Sequence, residues 1–89
     1  MTLESEFTIV NKNGMHARPA AQFVKQASQF KCEILVEKDD EQVNGKSIMG
    51  VLLLVAAQGT EITIHCDGSD AKLCLQALTE LVDDKFGED

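Results

Sequence analysis

The chain has no tryptophan, no tyrosine and a single proline, and its only aromatic residues are four phenylalanines. The core must therefore be built mainly from aliphatic side chains. Basic residues are also scarce: eight Lys and Arg stand against fifteen Asp and Glu, a net charge of −7. Nucleic-acid binding needs a basic face, so this balance argues against it. No apolar run approaches the ~20 residues of a membrane span. The acidic start, Met1 to Glu6, lacks the basic and apolar regions of a signal peptide, so a cytoplasmic location is expected. Cys32, Cys66 and Cys74 are odd in number, show no C-x-x-C spacing and fall on apolar-facing positions. They read as buried free thiols, and without closely spaced ligands no metal site is expected. What remains is 89 residues, 44% hydrophobic, which suits one domain spanning 1–89 near the small end of what folds alone.

The chain is organised around Asn13-Gly14-Met15-His16-Ala17-Arg18-Pro19-Ala20-Ala21. Asn13-Gly14 is a turn signal, because glycine reaches positive φ at no steric cost. Beyond it Ala20, Phe23, Val24, Ala27 and Phe30 recur at helical spacing, which predicts a helix over about 17–29. Pro19 then lies in the first turn, where backbone N–H groups have no internal partner and proline loses nothing. This sets His16 at or near the N-cap and Arg18 two residues on. Free amides and the positive end of the helix dipole would point at whatever the His16 ring carries. A phosphoryl group fits such a place, and the donor fork of Arg18 matches its oxygens better than a lysine would. A histidine at a helix start is by position alone more often a capping or surface residue. Arg18, however, is of the wrong sign for helix stability there, which favours a functional reading.

Other elements follow from patterning. Phe7 to Val10 reads as a strand. Lys31 to Glu37 alternates, with Cys32, Ile34 and Val36 inward. The polar run Lys38 to Glu41 breaks it, and Gln42-Val43-Asn44 returns as a short strand, although no two-residue turn signal marks the hairpin. Ile48 to Ala57 is apolar throughout, so periodicity cannot separate helix from strand. Ser47 as an N-cap, worth about 1 kcal/mol, favours a short helix, with Gly59 in the turn after it. That run is too apolar to be buried on every side, which leaves Ile48, Met49 and Leu52 as an exposed docking patch. Thr60 to Cys66 alternates, with Ile62, Ile64 and Cys66 inward and His65 outward; His65 has no supporting residues and is given no role. Gly68-Ser69-Asp70 offers a cap and first-turn acid for a last helix. Its buried stripe is Cys74, Leu75, Leu78, Leu81 and Val82, extended by Phe86, and residues 87–89 are expected to fray. The order β-α-β-β-α-β-α with amphipathic strands gives a two-layer α/β sandwich on an antiparallel sheet. Charge is uneven: residues 1–46 hold six basic and seven acidic side chains, residues 47–89 two and eight. Arg18, Lys25 and Lys46 belong to the half with the motif, which suits a partner with an acidic surface.

Gly14 to Ala20 resembles the active-site motif of the HPr family, the histidine-containing phosphocarriers of the bacterial phosphoenolpyruvate:sugar phosphotransferase system. Lys46 to Val51 resembles the regulatory serine region of that family, and Gln58 to Ile64 its last strand with the preceding loop. The resemblance covers essentially the whole chain. It implies an open-faced sandwich with strand order 1-4-2-3 and three helices on one face. It also implies that His16 takes a phosphoryl group on Nδ1 from phosphorylated enzyme I and passes it to an enzyme IIA domain, with Arg18 and the Ala17 amide holding the phosphoryl oxygens. Ser47 becomes a regulatory phosphorylation site for a dedicated HPr kinase/phosphorylase. Ala17, Ala21, Lys25, Ile48, Met49 and Leu52 become the shared docking face, on a monomer that needs neither cofactor nor metal. Two other readings stay open: a nitrogen-type phosphocarrier, with the same chemistry in a regulatory pathway, and a serine-regulated interaction module without carrier activity. The intact His16 and Arg18 argue against the last.

Overall fold

The computed structural model describes residues 2–12, 14–54, 57–84 and 86. Its elements are β1 (Thr2–Thr8), α1 (Ala17–Ala27), β2 (Glu33–Lys38), β3 (Glu41–Asn44), α2 (Ile48–Leu53), β4 (Glu61–Asp67) and α3 (Ala71–Asp83). The four strands form an antiparallel sheet in the order β1-β4-β2-β3. The apolar strand residues Ile34, Val36, Ile62, Ile64 and Cys66 meet Phe23, Val24, Val51, Leu78 and Val82 of the helices in one buried cluster. This is the open-faced sandwich that amphipathic strands require, with an aliphatic core as the composition demands. Each of those large side chains contributes about 1.5–3 kcal/mol when fully buried.

The largest departure from the patterning lies at the start of the chain. β1 covers the acidic Thr2–Thr8 instead of beginning at Phe7. The alternation was there in Leu3, Ser5 and Phe7, which are half-buried, but the polar Ser5 interrupts its apolar signal. Register with β4, from Thr2 opposite Asp67 to Thr8 opposite Glu61, extends the strand. Ile9 is buried beyond the strand's end. α1 stops at Ala27 with Ser28 as C-cap, so Phe30 is half-buried in the following loop. The β2–β3 hairpin closes tightly, Lys38 pairing with Glu41, and Asp39 takes the positive φ of 56° that the turn needs. Aspartate enters that region more readily than most residues, which is why no glycine announces the turn.

His65, given no role by sequence, bridges three strands on the open face. Its Nε2 lies 2.8 Å from Glu37 Oε1 and its Nδ1 3.5 Å from Glu4 Oε2. Asp70 takes the N-cap position of α3 but its carboxylate does not cap that helix. It accepts instead from the amides of Lys31 at 2.8 Å and Cys32 at 2.9 Å. These charge-assisted bonds, the Lys31 bond foremost, hold the Asp70 carboxyl below the usual carboxylate range. The stripe on α3 is Ala71, Cys74, Leu78 and Val82, with Leu75 and Leu81 half-buried and Phe86 buried after it. Desolvation raises all three thiols, Cys66 to about 11, so they are protonated at neutral pH. Asn13 of the expected turn, Val55 and Ala56 of the apolar run and the expected frayed tail at 87–89 lie outside the described residues.

Candidate phosphoryl-acceptor site

The loop before α1 is braced from two sides. Ile9 exchanges backbone hydrogen bonds with the segment before β4: its N–H donates to the Thr60 carbonyl at 2.9 Å, and its carbonyl accepts from Gly59 at 2.8 Å. Gln58 Nε2 donates to the Val10 carbonyl at 3.2 Å. The buried Asn11 donates through Nδ2 to the Gly14 carbonyl at 2.7 Å, and the same carbonyl accepts from the His16 amide at 3.0 Å. Gly14 is buried with φ at 69°, a backbone state that a side chain would strain. Buried Met15 then anchors the turn, so the backbone at His16 is fixed from behind.

His16 is the N-cap of α1, with extended φ and ψ of −88° and −165°. The first intrahelical bond runs from the Ala20 amide to the His16 carbonyl at 2.9 Å. The amides of Ala17 and Arg18 precede that bond, and Pro19, which is buried, has none to offer. The His16 ring is half-buried and does not cap its own helix, while Ala17 and Arg18 are exposed. No acidic residue lies in the first turn to compete for the helix dipole. The residue that carries the ring thus stands at the positive end of α1, ahead of two backbone amides outside the first intrahelical bond.

Ala17, Ala21 and Lys25 are all exposed and four residues apart, so they form one stripe along α1. On α2 the N-cap Ser47 accepts from the Gly50 amide through Oγ at 3.1 Å, the cap expected from its position. α1 and α2 pack against each other, which brings the two groups of residues onto adjoining helices. Ile48 and Met49 are 45% and 68% exposed, whereas Val51 and Leu54 face the core. Leu52 is half-buried against that core, and Leu53, 68% exposed, takes the outer place assigned to it. Leu53 was not among the residues expected at the surface, because a six-residue helix that is apolar all round carries no polar face to mark which side meets the core. Lys46 belongs elsewhere: its Nζ donates to the Phe30 carbonyl at 2.7 Å, beyond the far end of α1 from His16.

The chain matches the family described as PTS HPr component phosphorylation site over residues 3–84. It is 49% identical over 86 residues to the phosphocarrier protein HPr of Neisseria meningitidis, covering 97% of both chains. The HPr-like protein Crh of Halalkalibacterium halodurans is 40% identical over 81 residues, 91% of this chain and 96% of that one. A crystal structure of HPr from Thermoanaerobacter tengcongensis superposes with a TM-score of 0.95 at 46% identity, covering 98% of each. Fold, helix-start histidine and these likenesses define a protein of the phosphoryl-carrying class. The chain belongs to the HPr family of the phosphotransferase system.

Proposed function

We propose that His16 is the residue that carries the phosphoryl group, received from phosphorylated enzyme I and passed to an enzyme IIA domain in the cytoplasm. The carrying observation is the placement of His16 at the N-cap of α1, ahead of two amides outside the intrahelical ladder. In the transfer the lone pair of Nδ1 attacks phosphorus as the donor's P–N bond breaks. The Ala17 and Arg18 amides and the Arg18 guanidinium hold the equatorial oxygens. The return step reverses these bonds, so the ring serves as nucleophile and then as leaving group. Ala17, Ala21, Lys25, Ile48 and Met49 form the docking face, with Leu52 at its inner edge. Ser47 is the regulatory site for an HPr kinase/phosphorylase. A phosphate there sits where the helix dipole stabilises it, beside the exposed Ile48 and Met49. Incubation with enzyme I and phosphoenolpyruvate, followed by mapping of the acid-labile label, tests the assignment. Label on His16 and none on His65 supports it. Absence of label, with normal folding, favours the interaction-module reading.

A further inference from the structure

Cys32, Cys66 and Cys74 come from three separate places: the residue before β2, the sixth residue of β4 and the fourth of α3. Folding gathers their sulfurs within 4.8 Å of one another, and the Cys66 thiol donates to Cys74 Sγ at 3.8 Å. They are 2%, 0% and 0% exposed. The phosphoryl chemistry does not use them. Thr8 pairs with Glu61 at the sheet end that leads to His16, whereas Cys66 pairs with Leu3 toward the opposite end. Aliphatic packing would not require three sulfurs to converge. Metal–thiolate bonds of about 2.3 Å place the sulfurs of a trigonal site about 4.0 Å apart, within the spread that the fold already holds.

We propose that these three sulfurs form a trigonal binding site for a soft metal ion, monovalent copper. Zinc prefers four ligands, and among the described residues no fourth histidine, cysteine or carboxylate joins the group. The nearby Asp70 carboxylate is already engaged by the Lys31 and Cys32 amides. Soft thiolates in a dry, low-coordinate setting select monovalent copper. Cys32 is held in place by the turn after β4: a Cβ on Gly68 would lie 2.7 Å from Cys32 Cβ, so that turn can approach only as glycine. Cys32 also lines a surface groove of ≈ 340 Å³, whose walls carry the charged Lys31, Glu33 and Lys46, and this groove is the path from solvent to its thiol. On loading, three S–H bonds break, three S–Cu bonds form and three protons pass to solvent, while copper stays monovalent.

The test titrates the reduced, anaerobic protein with monovalent copper supplied as its acetonitrile complex, against a colorimetric copper chelator. One ion per chain should be retained, X-ray absorption should show three sulfur neighbours, and thermal melting should rise. Cys32→Ser, Cys66→Ser and Cys74→Ser should each weaken retention by more than about tenfold, the size of even outer-shell effects. Labelling of His16 should be unchanged by copper. Loss of all copper to the chelator would overturn the proposal, as would retention undiminished in a folded Cys74→Ser protein. If a serine variant fails to fold, the sulfur count on the unaltered protein decides: two or fewer sulfurs, or a Cys66–Cys74 disulfide formed instead, rejects the site.

Discussion

Arg18 places a full positive charge in the first turn of α1, where the helix dipole is also positive and no acidic residue lies in that turn. A charge of the wrong sign there costs about 0.3–1 kcal/mol. It is exposed, so packing does not repay that cost. Arg18→Ala should therefore hold or slightly raise the melting temperature. The same change removes a charge-assisted donor to the phosphoryl group, worth about 1.5–3 kcal/mol, so transfer should slow roughly 10- to 100-fold. Thermal melts and transfer rates on one preparation check the opposed signs. Ser47 gives the complementary pair. Ser47→Ala loses the bond to the Gly50 amide and should cost about 1 kcal/mol while leaving transfer near normal. Ser47→Asp keeps an acceptor at the dipole's positive end, so the melt should hold. Its charge must be desolvated when a partner covers Ile48 and Met49, so transfer from enzyme I should fall sharply. Slowing of Ser47→Asp only in proportion to unfolding would reduce Ser47 to a cap. The placement of His16 and Ser47 at helix starts was legible because such starts leave a strong local signature: at His16 a turn glycine, a proline in the first turn and a change of period all converge.

Elements were less evenly legible. β4 and α3 followed from clean alternation and a buried stripe, and α2 from its serine cap. β1 was shortened because one serine on its inner face masks the period, and only pairing with β4 makes the acidic segment a strand. Asp70 shows the same limit. Its position promises a helix cap, yet its carboxylate joins α3 to the amides before β2, a partnership 38 residues distant that no local pattern encodes. That bond has a pH signature. Because the folded carboxyl ionises below its unfolded value, its contribution is complete above the ordinary carboxylate range and is lost as pH falls through the folded value. Acid unfolding monitored by circular dichroism should show Asp70→Asn destabilised at neutral pH, with the gap to the unaltered protein closing as acid is added. A gap constant with pH would mean that the carboxylate charge contributes nothing.

At the scale of the whole molecule, a sheet with one covered face gathers the helices into one layer. α1 and α2 pack side by side in that layer, so a histidine at one helix start and a serine at another lie on neighbouring elements. The convergence of three cysteines separated by 34 and 8 positions is likewise a property of the assembled layers, invisible to any motif of closely spaced ligands. The division of labour predicts that phosphoryl transfer depends on the α1 start and not on the other histidine, which serves the open face through Glu4 and Glu37. The most direct test is transfer of label from phosphoenolpyruvate through enzyme I to the unaltered protein, His16→Ala and His65→Ala. Acid-labile label should appear in the unaltered protein and in His65→Ala, map to His16, and vanish in His16→Ala with its fold intact. Label retained in His16→Ala would contradict the account.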